Sequence, residues 1–106
     1  MGETGAKDPI IKEFISKAKK SYKLGSAYLF GSRARGDNFK SSDYDVILVS
    51  DDFSGKFFTN RMSEVYEKCG VNFDLEVLCY TKKEFEKMSK GINIVSAALK
   101  YAVRIA

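Results

Sequence analysis

Apolar residues at Ile10, Ile11, Phe14, Ile15 and Ala18 recur with helical spacing, which predicts an amphipathic helix. Asp8 is its expected N-cap and Pro9 its first residue, with the end near Leu24-Gly25. Ser26 to Phe30 is a short apolar and aromatic run, read as a first strand. Gly31 to Gly36 follows as a turn that opens a short helix, and Asp37 to Ser42 is polar and loop-like. Tyr44 to Ser50 contains Val46, Ile47, Leu48 and Val49 in succession, the pattern of a strand buried on both faces.

Asp51 to Lys56 reads as a turn. Thr59 is the expected cap of a second helix reaching Cys69, with Met62, Val65, Tyr66 and Cys69 on one side and Gly70 as its stop. Val71 to Tyr80 reads as a third strand. Thr81 and Glu84 form a T-x-x-E capping box, a specific helix start, and Phe85 and Met88 supply that helix's apolar side. Gly91 breaks it. Ile94 to Leu99 is a further short helix and Tyr101 to Ala106 a last short strand. This order predicts one small α/β sandwich over residues 1–106, with residues 1–7 disordered.

Composition narrows the chemistry. The chain has 106 residues, fourteen aromatic residues and no histidine. It is large enough for one modest core, and His-based acid–base chemistry and His-ligated zinc are excluded. Cys69 and Cys79 are too few for a disulfide framework, and Cys79 reads as packing in an apolar strand. No apolar run approaches the roughly 20 residues of a membrane helix, and Met1 to Lys7 has no signal-peptide core, so a cytoplasmic address is expected. The net charge is +4, yet residues 1–40 carry +5 and the rest −1. Such asymmetry fits phosphates meeting cations beside metals meeting carboxylates. Lys12, Lys17, Lys19, Lys20 and Lys23 read more simply as a solvated helix face.

The candidate chemistry lies in Leu29-Phe30-Gly31-Ser32-Arg33-Ala34-Arg35-Gly36 and in Ser42-Asp43-Tyr44-Asp45, followed by Val46 to Val49. Residues two apart on a strand share a face, their Cα atoms roughly 6.5 Å apart, so Asp43 and Asp45 could converge on one or two divalent ions. A bare D-x-D often marks only a solvent-facing strand start. Here it leads into a buried strand, where two like charges repel without a counter-ion. Gly31 lets backbone N–H groups approach a phosphate, and Ser32 adds a hydroxyl. Arg33 and Arg35 could pair with phosphates, with Arg35 preferred. By alternation Asp74, Glu76, Leu78 and Tyr80 share one face of the third strand, while Phe73, Leu75, Val77 and Cys79 share the other. Asp74 and Glu76 are therefore both candidates for a third acid.

The G-S-x-A-R-G stretch followed by S-D-x-D and four apolar residues resembles the signature of the DNA polymerase beta-like nucleotidyltransferase superfamily. The resemblance is strongest to its minimal nucleotidyltransferase branch, which often has a HEPN-domain partner. The motif covers residues 29–49, and the likeness extends to about residue 86. It implies a small mixed β-sheet with helices packed on one side. It further implies that Gly31, Ser32, Arg35 and Ser42 bind a nucleoside triphosphate, ATP first among them. Asp43, Asp45 and a third acid would hold two Mg2+ ions, with Mn2+ as a substitute. Counting back from Thr81 places the third acid at Glu76, where the family usually has aspartate, and Asp74 lies two positions early. In the HEPN-paired relatives the enzyme is an antitoxin that adenylylates a tyrosine of the toxin. The competing readings are a catalytically inactive module that binds a partner protein, and transfer to a small molecule or an RNA end. The basic first third speaks against a cationic small-molecule acceptor. Tyr22, Tyr28 and Phe39 are scattered rather than arranged as a platform for single-stranded nucleic acid.

Overall fold

The computed structural model describes residues 9–30, 44–91 and 102–106. Helix α1 (Pro9–Ser21) leads into β1 (Ser26–Phe30). Then come β2 (Tyr44–Val49), a 3-10 turn (Asp51–Phe53), α2 (Phe58–Lys68), β3 (Leu75–Tyr80), α3 (Lys82–Lys90) and β4 (Val103–Arg104). The strands form one mixed sheet in the order β3-β2-β1-β4. β1 is antiparallel to both β2 and β4, whereas β2 and β3 are parallel. A parallel pair needs a crossover rather than a tight turn, and the 3-10 turn and α2 provide it.

The two sheet faces differ in their cover. Ala27, Leu29, Tyr44, Val46, Leu48, Val77 and Cys79 face the main core, which Ile11, Phe14, Ile15 and Ala18 of α1 and Val65 of α2 complete. All of these are at most 6% exposed, so both longer helices sit on one side of the sheet, whereas α3, expected on that side too, packs on the other. On the other face Ile47, Val49 and Tyr80 form a smaller cluster with Tyr28, Phe30 and Leu78, and Phe85 and Met88 of α3 cover part of it. The lysines of α1, Lys12, Lys17, Lys19 and Lys20, are exposed, as is Lys23.

Local chemistry sets several boundaries. The Thr81 hydroxyl accepts from Glu84 N–H, and the Glu84 carboxylate accepts from Thr81 N–H, so the expected capping box starts α3. Gly70 adopts φ +56°. Its N–H bonds Glu67 O and the Val71 N–H bonds Tyr66 O, the pairing of a glycine-terminated helix.

Several expected boundaries move, the first being the end of α1, which lies at Ser21 rather than near Leu24-Gly25. Thr59 does not cap α2, because the N-cap is Phe57, whose side chain makes no capping bond. Arg61 anchors that start by donating Nε–H to Lys56 O, at 3.0 Å. β3 begins at Leu75 rather than Val71, since Val71 is still bonded to the end of α2 and ladder contact with β2 opens at the Tyr44 N–H to Asp74 O bond. β4 is shorter than Tyr101–Ala106, and the expected cap at Asp8 and helix at 94–99 lie outside the described residues.

α2 also reaches the outer edge of β3. Carbonyls of consecutive residues point to opposite sides of a strand, and Asp74 O and Tyr80 O face β2. Leu75 O and Cys79 O therefore face away from it. The Tyr66 hydroxyl donates to Leu75 O at 2.7 Å, and Arg61 Nη1 donates to Cys79 O at 3.0 Å.

Candidate active site

The register of the sheet assembles the candidate site. Asp45 is the Cα partner of Glu76 across the parallel β2–β3 ladder and of Phe30 across the antiparallel β1–β2 ladder. Neighbouring strands lie about 4.8 Å apart and partnered residues share a face. The two carboxylates therefore leave the sheet side by side, on the face carrying Tyr28, Phe30, Ile47 and Leu78. Asp45 is half-buried and Glu76 exposed. Asp74 is exposed and precedes β3, its backbone carbonyl accepting from Tyr44 N–H at 3.0 Å. Glu76, not Asp74, is in register with Asp45.

Gly31, Ser32, Arg35, Ser42 and Asp43, the other predicted site residues, lie outside the described residues, as do Arg33, Gly36 and Phe39. Among the described residues no group of three or more acids or thiols could hold a metal ion; Asp45 and Glu76 make two. Their donor atoms are all carboxylate oxygens, the set that suits a hard divalent cation such as Mg2+.

Aromatic rings flank the acids. Tyr28 stacks on Phe85 of α3, with centroids 5.3 Å apart and planes 14° apart, and Phe30 stands directly across from Asp45. Sequence reasoning assigned both rings to the first strand; alternation puts them on one face of it, and only the pairing of β1 with β2 shows that this is the acidic face. It also missed the ion pair that ties α2 to α3. Arg61, 5% exposed, donates to both Glu84 oxygens at 2.7 and 3.2 Å. Bonding to Arg61 holds the Glu84 carboxyl below its usual range. The thiols are structural: Cys79 is fully buried, and burial pushes it up to about 12. No described helix is long and apolar enough to cross a membrane.

The profile of the family described as "Nucleotidyltransferase domain" matches residues 11–104. Two proteins of Methanocaldococcus jannaschii, each provisionally named a protein adenylyltransferase, are similar to the chain. One is 44% identical over 43 residues, 39% of this chain and 43% of that protein. The other is 36% identical over 77 residues, 69% of this chain and 76% of that protein. The chain thus spans less than half of the first relative's length and about three quarters of the second's. The fold is like that of a crystal structure of a provisionally assigned nucleotidyltransferase from Sulfolobus solfataricus. That match has a TM-score of 0.67 and 22% identity, and covers 97% of this chain and 87% of that one. With the family profile matching nearly end to end and the Asp45–Glu76 pair in register on one sheet face, the chain belongs to the nucleotidyltransferase domain family, as a minimal member.

Proposed function

We propose that this protein transfers AMP from ATP to a hydroxyl of an acceptor protein, with a tyrosine of a HEPN-domain partner as the favoured acceptor in an antitoxin role. The observation that carries the reading is the pairing of Asp45 with Glu76, Asp45 also standing opposite Phe30, the last residue of the strand that runs into Gly31-Ser32. The names of the M. jannaschii relatives support protein as the acceptor class. The cytoplasm, where ATP is plentiful, is the proposed address.

Asp43, Asp45 and Glu76 would hold Mg2+, which when bound neutralises charge building on the phosphates and favours ionisation of the acceptor hydroxyl. Gly31 and Ser32, with Arg35 and Ser42, would bind and orient the triphosphate. The acceptor oxygen forms its bond to the α-phosphorus as the bond to pyrophosphate breaks, and a carboxylate of the acidic cluster takes the hydroxyl proton. Co-incubation of chain and partner with labelled ATP and Mg2+ tests this. Label on a partner tyrosine is expected, and an unlabelled partner sinks the reading.

One observation favours the non-catalytic alternative. Glu76 stands where the family usually has aspartate, and it is exposed. Absence of Mg2+-dependent ATP binding would select that module.

A further inference from the structure

Phe57 is 80% exposed, against 44% for Ile10 and 38% for Phe58, the other large apolar side chains in water among the described residues. It occupies the N-cap of α2 with φ −63° and ψ 147°, and no side chain caps that helix. Serine, threonine, aspartate or asparagine there would accept from the first-turn N–H groups and stabilise the helix. The first turn of α2 carries no acidic residue either. The position forgoes both sources of stability and holds a ring in water.

Beside that ring is a cleft of ≈ 470 Å³ lined by Phe57, Phe58, Tyr80 and Met88, with Lys56 and Lys87 on its rim. Phe58 and Tyr80 pack together at 5.5 Å between centroids, tilted by 47°, so their faces are already engaged and the cleft suits an inserted side chain better than a stacked base. Arg61 in its wall is neutralised by Glu84 and Lys56 by Glu64, at 2.7 and 2.8 Å. Lys87 makes no ion pair among the described residues, and the uncapped start of α2 adds partial positive charge. The surplus is positive, and with a net charge of +4 on the chain a second copy is repelled while an acidic segment is attracted.

We infer that this cleft docks an acidic segment of the protein acceptor, one apolar side chain entering between Phe57 and Met88 and a carboxylate meeting Lys87 and the first turn of α2. The inference rests on the proposed transfer to a protein. Tyr80 and Glu76 share a face of β3 four residues apart, which is about 13 Å. An acceptor hydroxyl roughly four extended residues from the docked anchor therefore reaches the acids.

The test uses the full chain without ATP or metal, so it does not depend on catalysis. The probes are fluorescein-labelled peptides in which leucine or phenylalanine is flanked by aspartate and glutamate, and counterparts carrying asparagine and glutamine instead. Saturable binding of the acidic set is expected, weakened about tenfold or more by Phe57→Ser, by Lys87→Glu and by the neutral flanks. Because serine can cap α2, the thermal midpoint of Phe57→Ser should hold or rise, which separates lost docking from lost folding. Failure of the acidic set to bind, or binding indifferent to both substitutions, overturns the inference. Oligothymidylate binding that Phe57→Ser abolishes overturns it in favour of nucleic acid. A dimer abolished by the same substitution overturns it in favour of self-association.

Discussion

Asp45 and Glu76 are partners across a parallel ladder, whereas Asp74 stands one residue before β3 begins. Glu76 is thus the acid held beside Asp45. Glu76→Gln is expected to lower AMP transfer by about 100-fold or more, since charge stabilisation by such a cluster is worth several kcal/mol. Asp74→Asn should change the rate by no more than about threefold, less than 1 kcal/mol. Labelled-AMP incorporation under matched ATP and Mg2+ decides between them.

Removing the repelling charges should cost activity but not the fold. The double substitution Asp43→Asn with Asp45→Asn is expected to abolish transfer. Its urea midpoint without metal should equal or exceed that of the parent, because two like charges entering a buried strand no longer oppose each other. Retained transfer in this variant would rule out the carboxylate mechanism.

Arg61 ties three elements together through Lys56 O, Cys79 O and the Glu84 carboxylate. Truncation leaves the buried Cys79 carbonyl without this donor and cuts the link between α2 and α3. Arg61→Ala should therefore lose about 2–4 kcal/mol in urea unfolding. Lysine should rescue little of it, because one ammonium cannot reproduce the guanidinium fork.

Acid should weaken the fold through two carboxylates. Bonding to Arg61 lowers Glu84, and bonding to Lys56, then to Tyr22, lowers Glu64. A depressed folded value means stability that is fully present above the ordinary carboxylate range, and lost as pH falls through the depressed one. The urea midpoint should be flat from about pH 7 to 5 and fall below about pH 4. Arg61→Leu should flatten the acid limb by the Glu84 share.

The thiols should be silent in the native state. Cys69 is 2% exposed and Cys79 fully buried, and burial raises both. A thiol that stays protonated and out of water is a poor nucleophile. An aromatic disulfide reagent should titrate both cysteines only after urea unfolding, and prompt reaction of the folded chain would contradict their placement.

What sequence reveals here is what neighbours in the chain decide. The T-x-x-E box, the Gly70 stop and the alternation of β3 each depend on a few consecutive residues, and each stands as expected. The start of α2 was hidden because it is anchored by Arg61, whose burial depends on what Cys79 and Glu84 present from other elements. The choice between Asp74 and Glu76 was hidden for a related reason. It turns on strand register, which no single strand carries in its own pattern. The motif exposed Asp45 directly, but its aromatic neighbours Tyr28 and Phe30 became visible only once β1 was paired to it.

The seal that Tyr66 and Arg61 place on β3 limits how this molecule can meet others. An open border strand invites an extended peptide to zip alongside it, and repeated zipping leads to filaments. Here two of the outward carbonyls are already taken by side chains of the chain's own helix. A visiting chain gains little by aligning beside β3, so recognition at this edge is diverted to side-chain surfaces.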